Sequence, residues 1–259
     1  MTDSEPTTER LQPLAPAFYA RPGFLSVPTV RDWWTLLHPP YTLWHLSYVV
    51  IGSCLVGPVD ASRLAFTVIA FFLAVGIGAH ALDELHGRPL QTSISDRTLV
   101  VAAVIGIGGA AVIGLMGITR IGLGLAVFVL VGVMLAVGYN LELMGGRLHS
   151  DLMFALAWGA FPVLTGYYAQ HERVEVAGVA AAIFAVFLSN AQRQLSTPAR
   201  ALRRKTDHVD GTIVRSDGTI VDIDQSVLLA PLERALRALS WATVLLAATL
   251  LLAQLSPWP

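Results

Sequence analysis

Seven stretches of this chain run for 17 residues or more without an Asp, Glu, Lys or Arg: Trp33–Val59, Leu64–Leu82, Thr98–Thr119, Ile121–Leu141, Leu152–Gln170, Val176–Gln192 and Ala238–Pro259. A helix needs roughly 20 mostly apolar residues to cross a bilayer. Only helices and closed barrels satisfy their own backbone there. The chain therefore reads as an all-α integral membrane protein with about seven transmembrane helices. Spans are expected at about 41–58, 62–84, 98–118, 121–142, 151–170, 174–194 and 232–255, within a transmembrane domain covering 39–259. Pro39 and Pro40 break the first stretch and set the start of its span near Tyr41. Composition agrees: 14% of the 259 residues are charged, against about 25% in soluble domains. A net charge of −1 offers no basic surface for nucleic acid, and the lone Cys54 excludes an internal disulfide or a cysteine-based zinc cluster.

Basic residues set the orientation. With the N-terminus in the cytoplasm, 14 Lys and Arg fall on the cytoplasmic side, and only Arg63, Arg120 and Arg173 fall outside. The expected location is the cell inner (plasma) membrane, multi-pass, with the C-terminus outside. Residues 1–28 are polar, carry acids and prolines and lack an early apolar core; they read as a flexible cytoplasmic tail rather than a signal peptide. Residues 29–38 read as an interfacial helix with Thr29 as N-cap and Trp33 and Trp34 at the membrane boundary. Gly106-Ile107-Gly108-Gly109 is expected to pack spans three and four closely.

The polar residues gather at the cytoplasmic ends. The second span closes with His80, Asp83 and Glu84 at i, i+3 and i+4, one face of a helix. Oxygen and imidazole ligands on that face suit a divalent cation; the alternative is a solvated helix end with a carboxylate paired to arginine. The sixth span closes with Asn190 and Gln194, which share a face with Thr197 and can order a polar head group. Arg193, Arg200, Arg203 and Arg204 follow as phosphate ligands or as a plain cytoplasmic flank. Tyr139, Asn140 and Arg147 lie between spans four and five, and His45 sits inside the first span, where an ionisable group faces the bundle interior.

A cytoplasmic loop at 195–230 holds the tandem repeat Asp210-Gly-Thr-Ile-Val214 and Asp217-Gly-Thr-Ile-Val221. Its alternation and the Asp217-Gly218 pair predict a short β-hairpin over about 212–223. The surrounding aspartates suggest a lid or brace that neutralises nearby arginines.

In order and spacing these features resemble the UbiA superfamily of intramembrane aromatic prenyltransferases. Arg31 followed by Thr42-Leu-Trp-His-Leu-Ser-Tyr-Val-Val-Ile-Gly52 is similar to that family's opening helix. Arg88-Pro89-Leu90 with Ser93-Ile94-Ser95 resembles the stretch after its first acidic motif, and Tyr139 with Arg147 resembles the pair after its fourth helix. Ala160-Phe-Pro-Val-Leu-Thr-Gly166 is similar to its fifth-helix stretch. The resemblance covers about residues 30–205. It implies a UbiA-like bundle that transfers a prenyl group from a prenyl (di)phosphate to an acceptor at the cytoplasmic face. Asp83, Glu84 and Tyr139 would be catalytic, and His80, Asp83 and Glu84 would hold a single Mg²⁺. His45, His80, Arg88, Asn140, Arg147, Asn190, Arg193, Gln194 and Arg200 would bind substrate. The sequence departs from the family where a second acidic motif would stand: Asn190-x-x-x-Gln194 has no carboxylate.

Three readings follow. One is the UbiA-like enzyme acting on an isoprenoid lipid. Another is a non-catalytic isoprenoid- or quinone-binding protein, or complex subunit, of the same fold. The last is a metal-dependent membrane enzyme using His80, Glu84, His86 and His149. The first requires the cytoplasmic ends of spans two and six to face one cavity.

Overall fold

The computed structural model describes residues 25–141 and 150–255. It is mostly helical: α1 Pro28–Leu37, α2 Pro39–Cys54, α3 Ala61–Leu85, α4 Asp96–Ile121, α5 Leu125–Asn140, α6 Asp151–His171, α7 Val176–Arg204 and α8 Gln225–Leu255. Strands β1 Gly211–Val214 and β2 Ile220–Ile223 join α7 to α8. Helices α3, α4, α6, α7 and α8 are long and apolar enough to cross a membrane. Helices α2 and α5 have 16 residues each, short of the roughly 20 that a straight crossing takes. The tail ahead of residue 25 and Arg147 and His149 lie outside the described residues.

Two helix starts differ from expectation. Helix α1 begins at Pro28 with Val27 in the cap position, so Thr29 is an interior residue and not the N-cap. Proline at the first position starts the helix by its fixed φ. Helix α2 begins at Pro39, directly after a left-handed His38 (φ +46°). The chain break thus falls at His38, and both prolines are absorbed into the first turn of α2.

Helix α2 is the hub. Most of its side chains are buried, including Trp44, His45, Tyr48 and Ile51. Trp44, Tyr48 and Ile51 share a core with Ala160 and Val163 of α6, Ala182 and Ala185 of α7 and Ala247 of α8. Backbone meets backbone where α2 crosses α6. A Cβ on Gly52 would lie 2.0 Å from the Val163 carbonyl oxygen, and one on Gly166 would lie 2.3 Å from that of Val49. The Ser53 hydroxyl donates to the Gly166 carbonyl across the same contact (3.2 Å). Small residues let helices approach this closely in an apolar medium. Gly106 works similarly, but its neighbours are Leu73 and Gly78 of α3. The glycine run of α4 therefore packs on span two, not span four.

Helices α3 and α6 each contain a π-helical segment, Phe72–Ala79 and Leu156–Ala160. The widened i→i+5 bonding of such segments shifts the phase of every residue beyond them and is frequent at functional sites.

Helix α7 continues to Arg204 and α8 starts at Gln225, so the connection covers 205–224 rather than 195–230. Pro198 and Pro231 lie inside these helices. The overhanging turns pack on one another, and a buried Arg203–Glu233 ion pair joins them, which offsets the backbone bonds the prolines remove. The hairpin forms as the repeat predicts, with Ile213 opposite Val221 and Val214 opposite Ile220. Gly218 carries the turn at φ +84°, and the Asp217 carboxylate accepts from the Thr219 amide (2.9 Å). Asp224 caps the start of α8 through Ser226 and Val227. These two aspartates are engaged locally rather than in neutralising arginines.

The α2–α6 crossing yields a test. Gly52→Leu or Gly166→Leu will cost about 1–3 kcal/mol or more from overpacking, a melting-temperature loss of several degrees in detergent. Gly108→Leu, where a Cβ meets nothing within 4 Å, will leave the melt unchanged.

Candidate functional site

The site is built at the end of the bundle that carries His38, the 86–95 loop and the hairpin. The loop is tightly wound, with Gly87, Arg88 and Gln91 all at positive φ. Fully buried Glu84 holds it: one carboxylate oxygen accepts from the Leu90 amide (2.9 Å), the other from the Thr92 amide (2.8 Å) and hydroxyl (2.9 Å). The Arg88 guanidinium donates to the carbonyls of Thr92 (3.3 Å) and Ile94 (2.6 Å) and pairs with Asp96. Buried Asp32 accepts from the Ser93 amide (2.8 Å) and hydroxyl, tying α1 to the loop.

A carboxylate this deep must find donors; both Glu84 oxygens are taken up by the loop, and Arg88 is engaged with Thr92, Ile94 and Asp96. The His80–Asp83–Glu84 face also comes apart. Glu84 points into the loop, Asp83 is exposed, and the His80 ring turns toward its own helix, its Nδ1 3.2 Å from the Gly76 carbonyl. Among the described residues no group of three His, Cys, Asp or Glu side chains is placed to hold a metal ion.

The structure assembles a chain of rings instead. His80 packs on His38 at 4.9 Å between centroids, and His38 meets the edge of Tyr41 at 5.9 Å. Tyr41 stacks on His45 at 6.1 Å, and His45 meets Trp158 edge-on at 5.9 Å. Trp158 contacts Tyr139 at 5.6 Å, and Tyr139 contacts Phe154 at 6.3 Å. Arg193 lies 5.0 Å over the Phe154 ring. Residues of α2, α3, α5, α6 and α7 thus meet in one array. Loss of water on burial, together with the nearby His80, Arg204 and Arg200, holds His38 well below the ordinary imidazole pKa of 6.5.

The arginines divide into engaged and available groups. Arg193 is paired with Asp151 (2.7 Å), and Arg203 with Glu233. Among the described residues Arg200 and Arg204 make no ion pair. Both charges reach His38, Arg200 also reaches Tyr139, and Arg204 faces the negative charges of Asp83 and Glu84.

The amide face of α7 is misassigned by spacing. Its buried positions are Ser189, Gln192, Ser196 and Ala199, whereas Asn190 is half-buried and Gln194 and Thr197 are exposed. The Ser189 hydroxyl bonds the Tyr48 hydroxyl at 3.0 Å. Asn140, buried, donates to the Ala136 carbonyl of its own helix (2.7 Å), and His45 is bonded through Nδ1 to the Tyr41 carbonyl (2.7 Å).

Beyond Trp158 lies an apolar cavity of about 180 Å³ lined by α3, α4, α5 and α6, which runs to Ser62, Arg63 and Arg120 at the opposite end of these helices. Ala74 and Val75 come from one π segment, Ala157 and Trp158 from the other. Val75, Ala157 and Trp158 pack with Tyr139, so Trp158 forms a wall between the polar array and the cavity.

His38, Tyr41 and Trp158 were not among the residues that the sequence singled out for a site. A histidine directly before two prolines was the one local signal for His38. Nothing local distinguishes Trp158 from a packing residue. Comparison of the chain with family models, curated proteins and solved structures returns no match.

Two outcomes check this assignment. Glu84→Ala leaves three donors orphaned, at about 1–3 kcal/mol each, and will lower the melting temperature sharply, while Asp83→Ala will change it little. A native His38 that resists protonation means that the folded state binds fewer protons than the unfolded state below about pH 6.5, so stability falls on acidification. The melting temperature will drop between about pH 7 and pH 5, and His38→Gln will shallow that slope.

Proposed function

We propose that this chain binds an isoprenoid lipid bearing a phosphate or diphosphate head. The observation that carries the reading is the pair Arg200 and Arg204, without ion-pair partners among the described residues, near His38 at the head of a ring array that ends at Trp158 beside an apolar cavity. Guanidinium forks match phosphate oxygens. Apolar walls suit a hydrocarbon tail. Helices α2 to α8 would be the seven spans of a multi-pass protein of the cell plasma membrane. The site would lie on the cytoplasmic side. The excess of arginine at that end, against Arg63, Arg120 and Arg173 at the other, supports this orientation with the N-terminus inside and the C-terminus outside.

In this reading Arg200 and Arg204 take the head group, with His38 beside them. For the tail to enter the cavity, the Trp158 ring that walls it off would have to swing aside.

Prenyl transfer is the second reading, favoured by the position of Asp83, whose charge reaches both Arg204 and Tyr139. In that reading Asp83, exposed at the end of α3, would carry a single Mg²⁺. Its signature would be Mg²⁺-dependent turnover of a prenyl diphosphate that Asp83→Asn abolishes.

The binding reading is tested with the purified full chain in detergent. Geranyl monophosphate will bind more tightly than geraniol, and Arg200→Ala and Arg204→Ala will each weaken it about 10- to 100-fold, as expected for a charge-assisted contact. Arg173→Ala will have no effect. Equal affinity for alcohol and phosphate would overturn the proposal.

A further inference from the structure

The cavity beyond Trp158 is a slot rather than a chamber. Its lining follows α3 from Arg63 to Val75 and α4 from Ile107 to Arg120, roughly 18–20 Å at about 1.5 Å of rise per residue. The inner end is Trp158, which is 8% exposed. Toward the other end the slot is open between α3 and α4: Phe66 and Met116 both line it and are 51% and 60% exposed. A volume of about 180 Å³ drawn out over that length is narrow, since a compact cavity of about 150 Å³ is filled by one benzene molecule. The shape admits one hydrocarbon chain and excludes a fused ring system. A lipid acyl chain reaches about 15 Å from its headgroup to the midplane, half of a hydrocarbon core of about 30 Å. The slot is therefore deep enough for the whole of one chain.

The open end carries charge. Arg63 is engaged there: its guanidinium donates to the Ala169 and Gln170 carbonyls (both 3.3 Å) and pairs with Glu172 (2.8 Å). Arg120 is exposed and makes no ion pair among the described residues. Met116 and Arg120 stand at i and i+4 and share a face of α4, so a cation sits over the apolar mouth. We infer that the slot takes one acyl chain of an anionic phospholipid from the leaflet at the Arg120 end, with the lipid phosphate at Arg120 and the chain end at Trp158. A guanidinium at a bilayer surface attracts and matches phosphate oxygens. The inference goes beyond the isoprenoid reading and is independent of it, because that ligand would meet Arg200 and Arg204 at the other end of the bundle.

The test reads Trp158 fluorescence from the full chain in phosphatidylcholine vesicles doped with phosphatidylglycerol, one or the other lipid carrying bromines on a chain. Bromine quenches an indole only at close range. The chain has six tryptophans, so the signal of the Trp158→Phe variant is subtracted. Along α6, Trp158 lies roughly 20 Å from the His171 end and roughly 10 Å from the Asp151 end, so the position of the bromines reports the end of entry. Phosphatidylglycerol brominated near the chain terminus will quench the Trp158 component, and phosphatidylcholine brominated alike will do so much less. Arg120→Ala will raise about fivefold the phosphatidylglycerol fraction needed for half of the quenching, the weight of one basic residue at an anionic lipid surface. Ala111→Phe, which fills the slot, will abolish the quenching; Arg120 is exposed, so its variant keeps the test open should the filled one fail to fold. Equal quenching by the two lipids would overturn the assignment of an anionic head. Quenching by bromines near the headgroup would place entry at the ring-array end and overturn the proposal, as would a Trp158 component that neither lipid quenches.

Discussion

The close crossing of α2 and α6 is the constraint on which the rest of the molecule depends. Helix α2 is short and unusually polar for the centre of an apolar bundle, with His45, Ser47, Tyr48 and Ser53 all buried. It can occupy that position because Gly52 and Gly166 bring two backbones together and because its polar groups are satisfied nearby. Ser47 bonds the Leu43 carbonyl (2.7 Å), Tyr48 reaches Ser189 and Ser53 reaches Gly166. With α2 fixed, Tyr41 and His45 are aimed at Trp158, and the ring array has its middle members.

Charge is distributed with similar economy. Each deeply placed carboxylate has its donors: Asp32 and Glu84 both hold the 86–95 loop. Arg88, Arg193 and Arg203 have carboxylate partners. At the site end Arg200 and Arg204 lie near His38, whose affinity for a proton burial lowers.

The broad architecture was legible in the sequence because charge-free length is a strong signal. The seven stretches correspond to α2 through α8, and the tandem repeat gave the hairpin within one residue of its observed start. The site was legible only in outline. Counting i, i+3 and i+4 identifies residues on one helix face but not what that face meets. His80, Asp83 and Glu84 follow a π segment whose extra residue rotates the end of α3, and Glu84 consequently meets a loop that no periodicity describes. The small-residue face of α7 was likewise hidden: Ser189, Ser196 and Ala199 carry weak polarity signals beside Asn190 and Gln194. Long-range partners such as Asp151 for Arg193 leave no trace in local spacing.

The overhang of α7 and α8 has a mechanical consequence. At about 1.5 Å per residue, helices of 29 and 31 residues exceed a hydrocarbon core of about 30 Å by several turns' length in total. Clamped together by Arg203 and Glu233, they form a stiff double post that would raise the hairpin roughly 10–15 Å above the hydrocarbon core. The acidic ribbon would then stand clear of the bilayer like a flag on a mast, with Val214 and Ile220 facing the aqueous phase.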